Sequence, residues 1–360
     1  MYSSFRIRGF RRFQKLEISD LRRVNLLVGR NNSGKTSVLE ALSILFDPSS
    51  LVDHSLRRGE ILIAEDEQDR ELRTQFREEL DVSCLFSGYG DQPEANVSFG
   101  LVGAGTWNHQ LTASKSSGPT PALGLQLDDL PEVLLSLSEQ DALPLWEVSQ
   151  TIARRARLRF PQRNPEDIGP MTFVEPGGYS AAKLAGFLGG ALLTPEEDWL
   201  LDALRLVEPS VRRIAILPDA LQSSTRSQKQ GIIVLCEGKR RLPLGNLGDG
   251  VWRLLMIALA LVSSARGIVL IDEIDTGLHH TVLEGMWRLL LKTAARLDVQ
   301  VFATTHSDDC WKALARVLEE EDGALDGEVS LQRLEAGNPE TVIFPGNLIR
   351  IANQNKIEVR

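Results

Sequence analysis

The sequence predicts an α/β fold built on a buried parallel sheet, and three stretches carry that prediction. Residues 24–28 (VNLLV), 267–271 (GIVLI) and 299–305 (VQVFATT) are near-continuous apolar runs. Such runs belong to strands covered on both faces. Each ends in residues suited to chemistry: a glycine-bounded loop, a pair of acids, a histidine. In open α/β sheets such residues gather at the carboxyl ends of the strands.

The first run leads into Gly29, Arg30, Asn31, Asn32, Ser33, Gly34, Lys35 and Thr36, the phosphate-loop spacing GxxxxGK[ST]. Gly29 and Gly34 let the backbone turn so that consecutive N–H groups face one centre. The helix opening at Lys35 aims its positive end at the same point. Lys35 can reach the β- and γ-phosphates, the Thr36 hydroxyl can ligate Mg²⁺, and Ser37 continues the lining. Val38, Leu39, Leu42, Leu45 and Phe46 then recur at helical spacing and pin the helix to a core. ATP and Mg²⁺ are the expected ligands.

Composition bounds the alternatives. The chain has 360 residues, 42% hydrophobic and 25% charged, which suits one large globular domain or two. No run approaches the roughly 20 apolar residues that span a bilayer, so no membrane partner is expected. The opening MYSSFRIRGF lacks the apolar core of a signal peptide. Cys84, Cys236 and Cys310 are scattered and show no metal spacing, which points to a reducing cytoplasm. A net charge of −9 argues against general nucleic-acid binding but leaves room for a local basic face.

Along the chain, residues 4–13 alternate apolar and basic, as in an antiparallel strand with one solvated face, and 16–21 reads as its partner. Arg6, Arg8, Arg11 and Arg12 on this hairpin fit either a solvated face or a phosphate-facing surface. Residues 48–80 read as a loop followed by a charged helix. Strands are expected at 80–86, 95–102 and 107–113, with a break at 114–122. Residues 128–148 read as helical in pieces. The run 152–163 carries Arg154, Arg155, Arg157, Arg159 and Arg163 with no acid among them. It fits a nucleic-acid or acidic-partner contact, or an exposed edge neutralised by nearby carboxylates. Residues 164–179 read as loop, 180–193 and 195–207 as helices, and 212–217 and 231–235 as strands.

Motifs return at Leu247, Gly248, Asp249 and Gly250, followed by a buried helix at 254–262. The strand at 267–271 delivers Asp272, suited to hold Mg²⁺, and Glu273, suited to polarise the attacking water. A turn and an amphipathic helix at 282–297 lead to the strand at 299–305. That strand brings His306 to the same edge, where it can donate a hydrogen bond to the γ-phosphate. A helix at 311–319, strands at 329–334 and 340–344 and a short terminal helix complete the reading.

GRNNSGKT at 29–36, LGDG at 247–250, LIDEIDTGLHH at 270–280 and ATTHS at 303–307 together resemble the ABC-type ATPase heads. That group holds ABC transporters, structural-maintenance-of-chromosomes (SMC) proteins, RecF and the overcoming-lysogenization-defect (OLD) ATPases. The chain looks most like the OLD-like, AAA-type ATPases of bacteria, and the terminal IEVR adds to the likeness. The resemblance covers about 1–50 and 200–360. It implies an ABC-type P-loop ATPase head with an N-terminal antiparallel sheet and a mixed α/β insert. The single head would span 1–360, with a core at 1–75 and 229–360 and a variable insert at 76–228. It makes Lys35 and Thr36 Walker A, Asp272 Walker B, Glu273 the catalytic base and His306 the switch histidine. Leu247 to Gly250 stand at the ABC signature, which in such proteins caps the nucleotide on a second head. The implied state is a homodimer or higher assembly.

Two positions depart from the general pattern. Gly248 replaces the signature serine, and His279 stands where the D-loop carries aspartate, as it does in OLD-like proteins. Gln68 and Gln75 are the Q-loop candidates. No heptad arm is present, and the chain stops about where the head ends, short of a Toprim nuclease domain. The resemblance therefore implies an ATPase that works with a separate effector, commonly a nuclease or toxin in phage defence, or on DNA. A non-hydrolysing ATP-dependent scaffold, a RecF-like DNA-repair clamp and a transporter subunit are the alternatives.

Overall fold

The computed structural model describes residues 1–47, 50, 54, 58, 61–65, 76–80, 87, 96–103, 108–115, 122–127, 133–136, 169–179, 181–216 and 231–359. The alternating N-terminal pattern becomes a hairpin. β1 (Tyr2–Phe10) pairs antiparallel with β2 (Phe13–Ile18), Phe5 opposite Ile18 and Ile7 opposite Leu16. Phe5 and Ile7 are buried while Arg6 and Arg8 face solvent, as period-two alternation requires. Arg6 pairs with Glu17 across the hairpin, which favours the solvated-face reading for that residue.

β3 (Val24–Val28) leaves this sheet and enters a second one. β4 (Ile61–Glu65) and β5 (Phe76–Leu80) form a separate antiparallel ribbon. β6 (Asn96–Gly103), β7 (Asn108–Lys115), β8 (Ala122–Leu127) and β9 (Val133–Ser136) continue the first sheet in the order β2-β1-β6-β7-β8-β9. β10 (Met171–Val174) joins the second sheet. β11 (Val211–Ile216), β12 (Ile232–Cys236) and β13 (Arg241–Pro243) make a third, antiparallel sheet. With β14 (Ile268–Ile271), β15 (Gln300–Thr304), β16 (Val329–Arg333) and β17 (Val342–Pro345), the second sheet runs β10-β14-β15-β3-β16-β17. Its first five strands are parallel and β17 is antiparallel.

The second sheet divides two cores by the same alternation. Leu27, Phe173, Ile268, Leu270 and Phe302 share one core with the first sheet and α1 (Lys35–Phe46). Leu26, Val269, Ile271, Val301, Ala303 and Leu331 point into the other. That second core is closed by α2 (Ala181–Ala191), α3 (Glu197–Arg205), α4 (Asp249–Ser263), α5 (Leu283–Leu297), α6 (Asp308–Glu320) and α7 (Gly346–Gln354). Each fully buried Leu, Ile or Phe contributes about 1.5–3 kcal/mol. Covering both faces is what lets the three predicted runs stay apolar along their length.

Several expectations change. Residues 61–65 and 76–80 are strands, not loop and charged helix. Ile61, Leu62 and Ile63 favour extended backbone, and the ribbon pairs Ile61 with Leu80. Residues 133–136 are a strand where helix was expected, because their apolar run pairs with β8. Residues 171–174 are a strand where loop was expected. The neighbouring Pro170 and Pro176 suggested loop, but Phe173 and Val174 are buried against β14. Within 76–228, β6–β9 extend one main sheet and β10 joins the other, and β11 pairs with β12 beyond it. The arginine run 152–163, Gln68, Gln75 and Cys84 lie outside the described residues. Cys236 and Cys310 are free and buried. Among the described residues no helix is long and apolar enough to cross a membrane.

Candidate functional site

β3, β14 and β15 are parallel neighbours, so the residues just past their carboxyl ends meet at one edge of the sheet. After β3, Gly29 has φ +142°, and a Cβ there would sit 2.5 Å from the Leu334 carbonyl oxygen and 2.9 Å from Ser33 Oγ. Gly34 has φ +97°, and a Cβ there would strike the Phe13 ring and the Arg12 side chain. Glycine is therefore required at both ends of the loop, and the turn of the first hairpin lies against it. Lys35 is buried. Its Nζ donates to the carbonyl oxygens of Gly29 at 2.7 Å and Arg30 at 3.1 Å, which holds the ammonium at the loop's centre.

Thr36 and Asp272 meet directly. Thr36 Oγ1 lies 3.2 Å from both carboxylate oxygens of Asp272, and Thr304 Oγ1 donates to Asp272 Oδ1 at 2.7 Å. Among the described residues no cluster of three His, Cys, Asp or Glu could hold a metal alone. One hydroxyl and one carboxylate are instead the hard oxygen pair that suits Mg²⁺ shared with phosphate oxygens and water. The residues fit the cation the sequence implies.

Glu273 is next in the chain, with φ +48°, a left-handed backbone that costs a non-glycine residue about 1–3 kcal/mol. The surroundings hold it there. Its N–H donates to Thr304 Oγ1 at 2.8 Å, its carbonyl accepts from Arg253 Nη2 at 2.8 Å, and its Oε2 accepts from Thr276 Oγ1 at 3.0 Å. Thr304 therefore serves both acids, donating to one and accepting from the next.

β15 ends where Ser307 caps α6, accepting from the Cys310 N–H at 3.3 Å. This leaves His306 exposed at the rim of the site. Thr305 Oγ1 donates to Asp275 Oδ1 at 2.6 Å and ties this turn to the one after Glu273. Partial desolvation, then the positive charge of Lys35, lower the His306 pKa, against the opposing fields of Glu273, Asp272 and Asp275. Burial and the Lys35 charge thus disfavour the protonated imidazole.

Leu247, Gly248, Asp249 and Gly250 form a different corner. Gly248 has φ +91° and ψ 171° and begins α4 with no side-chain cap. A Cβ at Gly250 would lie 3.0 Å from the Gly277 carbonyl oxygen, and one at Gly277 would lie 3.5 Å from Asp249 Cβ. The neighbours of this corner are thus in the turn after Glu273, whereas the phosphate loop's are Arg12, Phe13 and Leu334.

Sequence reasoning missed three contributors. Thr304 and Arg253 hold the acids. Glu40, buried in α1, is clamped by Arg58 Nε and Nη2 at 2.9 and 3.0 Å and by Arg11 Nε at 3.1 Å, which fastens the phosphate-loop helix to the first hairpin. A signal for Arg253 was present: one cation within the apolar run VWRLLMIALALV demands a buried partner. Glu40 offered the same signal within SVLEALSILF.

Two family models match the chain: "AAA ATPase domain" over residues 1–156 and "AAA domain, putative AbiEii toxin, Type IV TA system" over residues 189–309. A curated protein of Helicobacter pylori (strain ATCC 700392 / 26695), "ATP/GTP phosphatase", is 23% identical over 363 residues, covering 90% of each chain. Among solved structures, an SMC head bound to the C-winged helix domain of ScpA matches with a TM-score of 0.51 at 12% identity, covering 96% of this chain and 97% of that one. An SMC head with an extended coiled coil, bound to the C-terminal domain of ScpA derived from Pyrococcus furiosus, gives 0.51 at 10% identity, covering 99% of each. The fold is the mixed α/β fold of SMC-type, ABC-type P-loop ATPase heads, and both halves of the sequence are similar to AAA ATPase domains.

Proposed function

We propose that this chain is an OLD-like ATPase head that binds ATP with Mg²⁺, hydrolyses it, and closes as a pair of heads around the nucleotide. One observation carries the reading: Lys35, Thr36, Asp272, Glu273 and His306 come from three neighbouring strand ends and occupy one edge. Lys35 would exchange its loop carbonyls for phosphate oxygens, joined there by the loop N–H groups. Thr36 and Asp272 would hold Mg²⁺, which supplies charge neutralisation on the phosphate oxygens. Glu273, fixed at both its N–H and its carbonyl, would orient the attacking water and accept its proton. His306, at the rim, would donate a ring N–H toward the γ-phosphate.

The signature corner would serve a second copy. Gly248 and Asp249 are exposed at the start of α4, where backbone N–H groups and the helix dipole favour an anion. The resemblance and the toxin-system description of one matching family support a separate effector, a nuclease or toxin in phage defence, or action on DNA in the cytoplasm. A non-hydrolysing scaffold has Gly248 in its favour, since no signature hydroxyl is present. The distant relative's name, a phosphatase for ATP and GTP, favours turnover instead.

The test compares wild type with Glu273→Gln in Mg-ATP binding and in phosphate release. We expect retained binding and a turnover reduced by roughly 10²-fold or more. Equal turnover in the two proteins would remove Glu273 from the reaction, and binding without turnover in the wild type would leave the scaffold.

A further inference from the structure

Arg253 is the one charged residue in the buried stretch 251–261 of α4. Burying a guanidinium among Leu254, Leu255 and Met256 is costly for every donor left unanswered, and the Nε of Arg253 is buried without a hydrogen-bond partner among the described residues. Both terminal nitrogens of Arg253 are answered by main chain. Its Nη1 donates to the Glu175 carbonyl oxygen at 2.7 Å, and its Nη2 to that of Glu273 at 2.8 Å and to that of Asp272. Glu175 directly follows β10 and Asp272 directly follows β14, strands paired in parallel with Val174 opposite Ile271. One side chain therefore spans two strand ends and three carbonyls at the edge of the candidate site.

The same helix touches this turn a second time. Gly250 lies close against the Gly277 carbonyl, and Gly178, in the loop after β10, approaches Trp252 Nε1 so closely that a Cβ would come to 3.1 Å. Glu273 holds its left-handed backbone between the Thr304 hydroxyl on one side and Arg253 on the other. Any displacement of α4 must then move a carbonyl of Glu273 or break a buried, charge-assisted hydrogen bond.

We infer that Arg253 is a positioning residue: it couples the helix that starts at Gly248 to the backbone of Asp272 and Glu273, so that the 247–250 corner and the two acids move as one body. Lysine cannot replace it, because a single ammonium does not reproduce a planar fork reaching three carbonyls. The catalytic consequence rests on the ATPase reading above: a second copy that grips the 247–250 corner would set the carboxylate of Glu273 through this link. The mechanical link itself is a property of the fold and can be read without nucleotide.

The experiment compares backbone amide exchange in the full-length wild type, Arg253→Lys and Arg253→Met, with ATP turnover beside it. We expect exchange in 252–256, the first hydrogen-bonded amides of α4, and in 272–278 to rise together by about tenfold or more in both variants, while 300–304 keeps its wild-type rates. Turnover should fall roughly 30-fold with KM for ATP changed less than about threefold, the pattern of a lost transition-state interaction. Unchanged exchange, or loosening of 272–278 with 252–256 unaffected, would overturn the coupling. Loosening of 300–304 as well in both variants would also overturn it, by making Arg253 a core residue of the whole fold. A wild-type protein without turnover would remove the ATPase reading, and the exchange pattern would still decide Arg253.

Discussion

The phosphate-loop corner and the 247–250 corner lie on the same protein but are finished to different degrees. At the first, side chains meet in complementary pairs: Lys35 with loop carbonyls, Thr36 with Asp272, Thr304 with both acids. At the second, an exposed glycine opens a buried helix with no side-chain cap. A corner whose polar groups are answered inside one chain is preorganised for a small ligand. A corner that offers mainly backbone at a helix start is suited to a ligand brought by another surface. On the proposed function, the first corner would carry the chemistry and the second the assembly, with Arg253 between them.

The largest expected effect breaks the first corner alone. Lys35→Ala removes the ammonium that sits between the Gly29 and Arg30 carbonyls, and should weaken Mg-ATP binding by roughly 10²-fold, the worth of a buried charge-assisted contact. Isothermal titration checks this, and wild-type affinity in the variant would show that the loop does not hold phosphate.

A smaller effect concerns the second corner. The backbone of Gly248, at φ +91° and ψ 171°, lies in a region that only glycine occupies readily. Gly248 is therefore not simply a serine lost. Gly248→Ser should destabilise the protein by about 1–3 kcal/mol in thermal or denaturant unfolding while leaving ATP affinity alone. A variant of unchanged stability would mean that the corner tolerates a signature serine after all.

The smallest effect sharpens the first corner's electrostatics. His306 should titrate below its ordinary 6.5 by NMR, and its pKa should move back up in Lys35→Ala, because the Lys35 charge is one of the causes that lower it. A group with a depressed folded-state pKa contributes stability present above its unfolded value and lost as pH falls through the folded one. A titration unmoved by Lys35→Ala would separate the histidine from the loop.

How much of this could be read beforehand depends on the physics of each stretch. The strands at 24–28, 267–271 and 299–305 were legible because burial on both faces leaves continuous apolar runs. The placement of Lys35, Thr36, Asp272 and Glu273 at one sheet edge was legible because each closely follows one of these apolar runs. β10 was not, because a four-residue edge strand between prolines has too little sequence to declare itself, and its stability comes from β14. The ribbon of β4 and β5 was hidden by the charges of 65–79, which mimic a solvated helix. Thr304 and Arg253 escaped because their roles arise from contacts between segments far apart in the chain, which no local period records.

Pairing of two heads around nucleotide is read most directly from the mass of Glu273→Gln by light scattering, with and without Mg-ATP. The phosphate loop and the 247–250 corner have different neighbours, and on the proposed pairing a two-fold-related copy would bring its corner to the γ-phosphate held by the first. Nucleotide would then favour the pair by mass action. A monomer should become a dimer, or an existing assembly should grow, when Mg-ATP is added to this variant, in which turnover is expected to be slowed. A monomeric mass unchanged by saturating Mg-ATP would contradict the pairing.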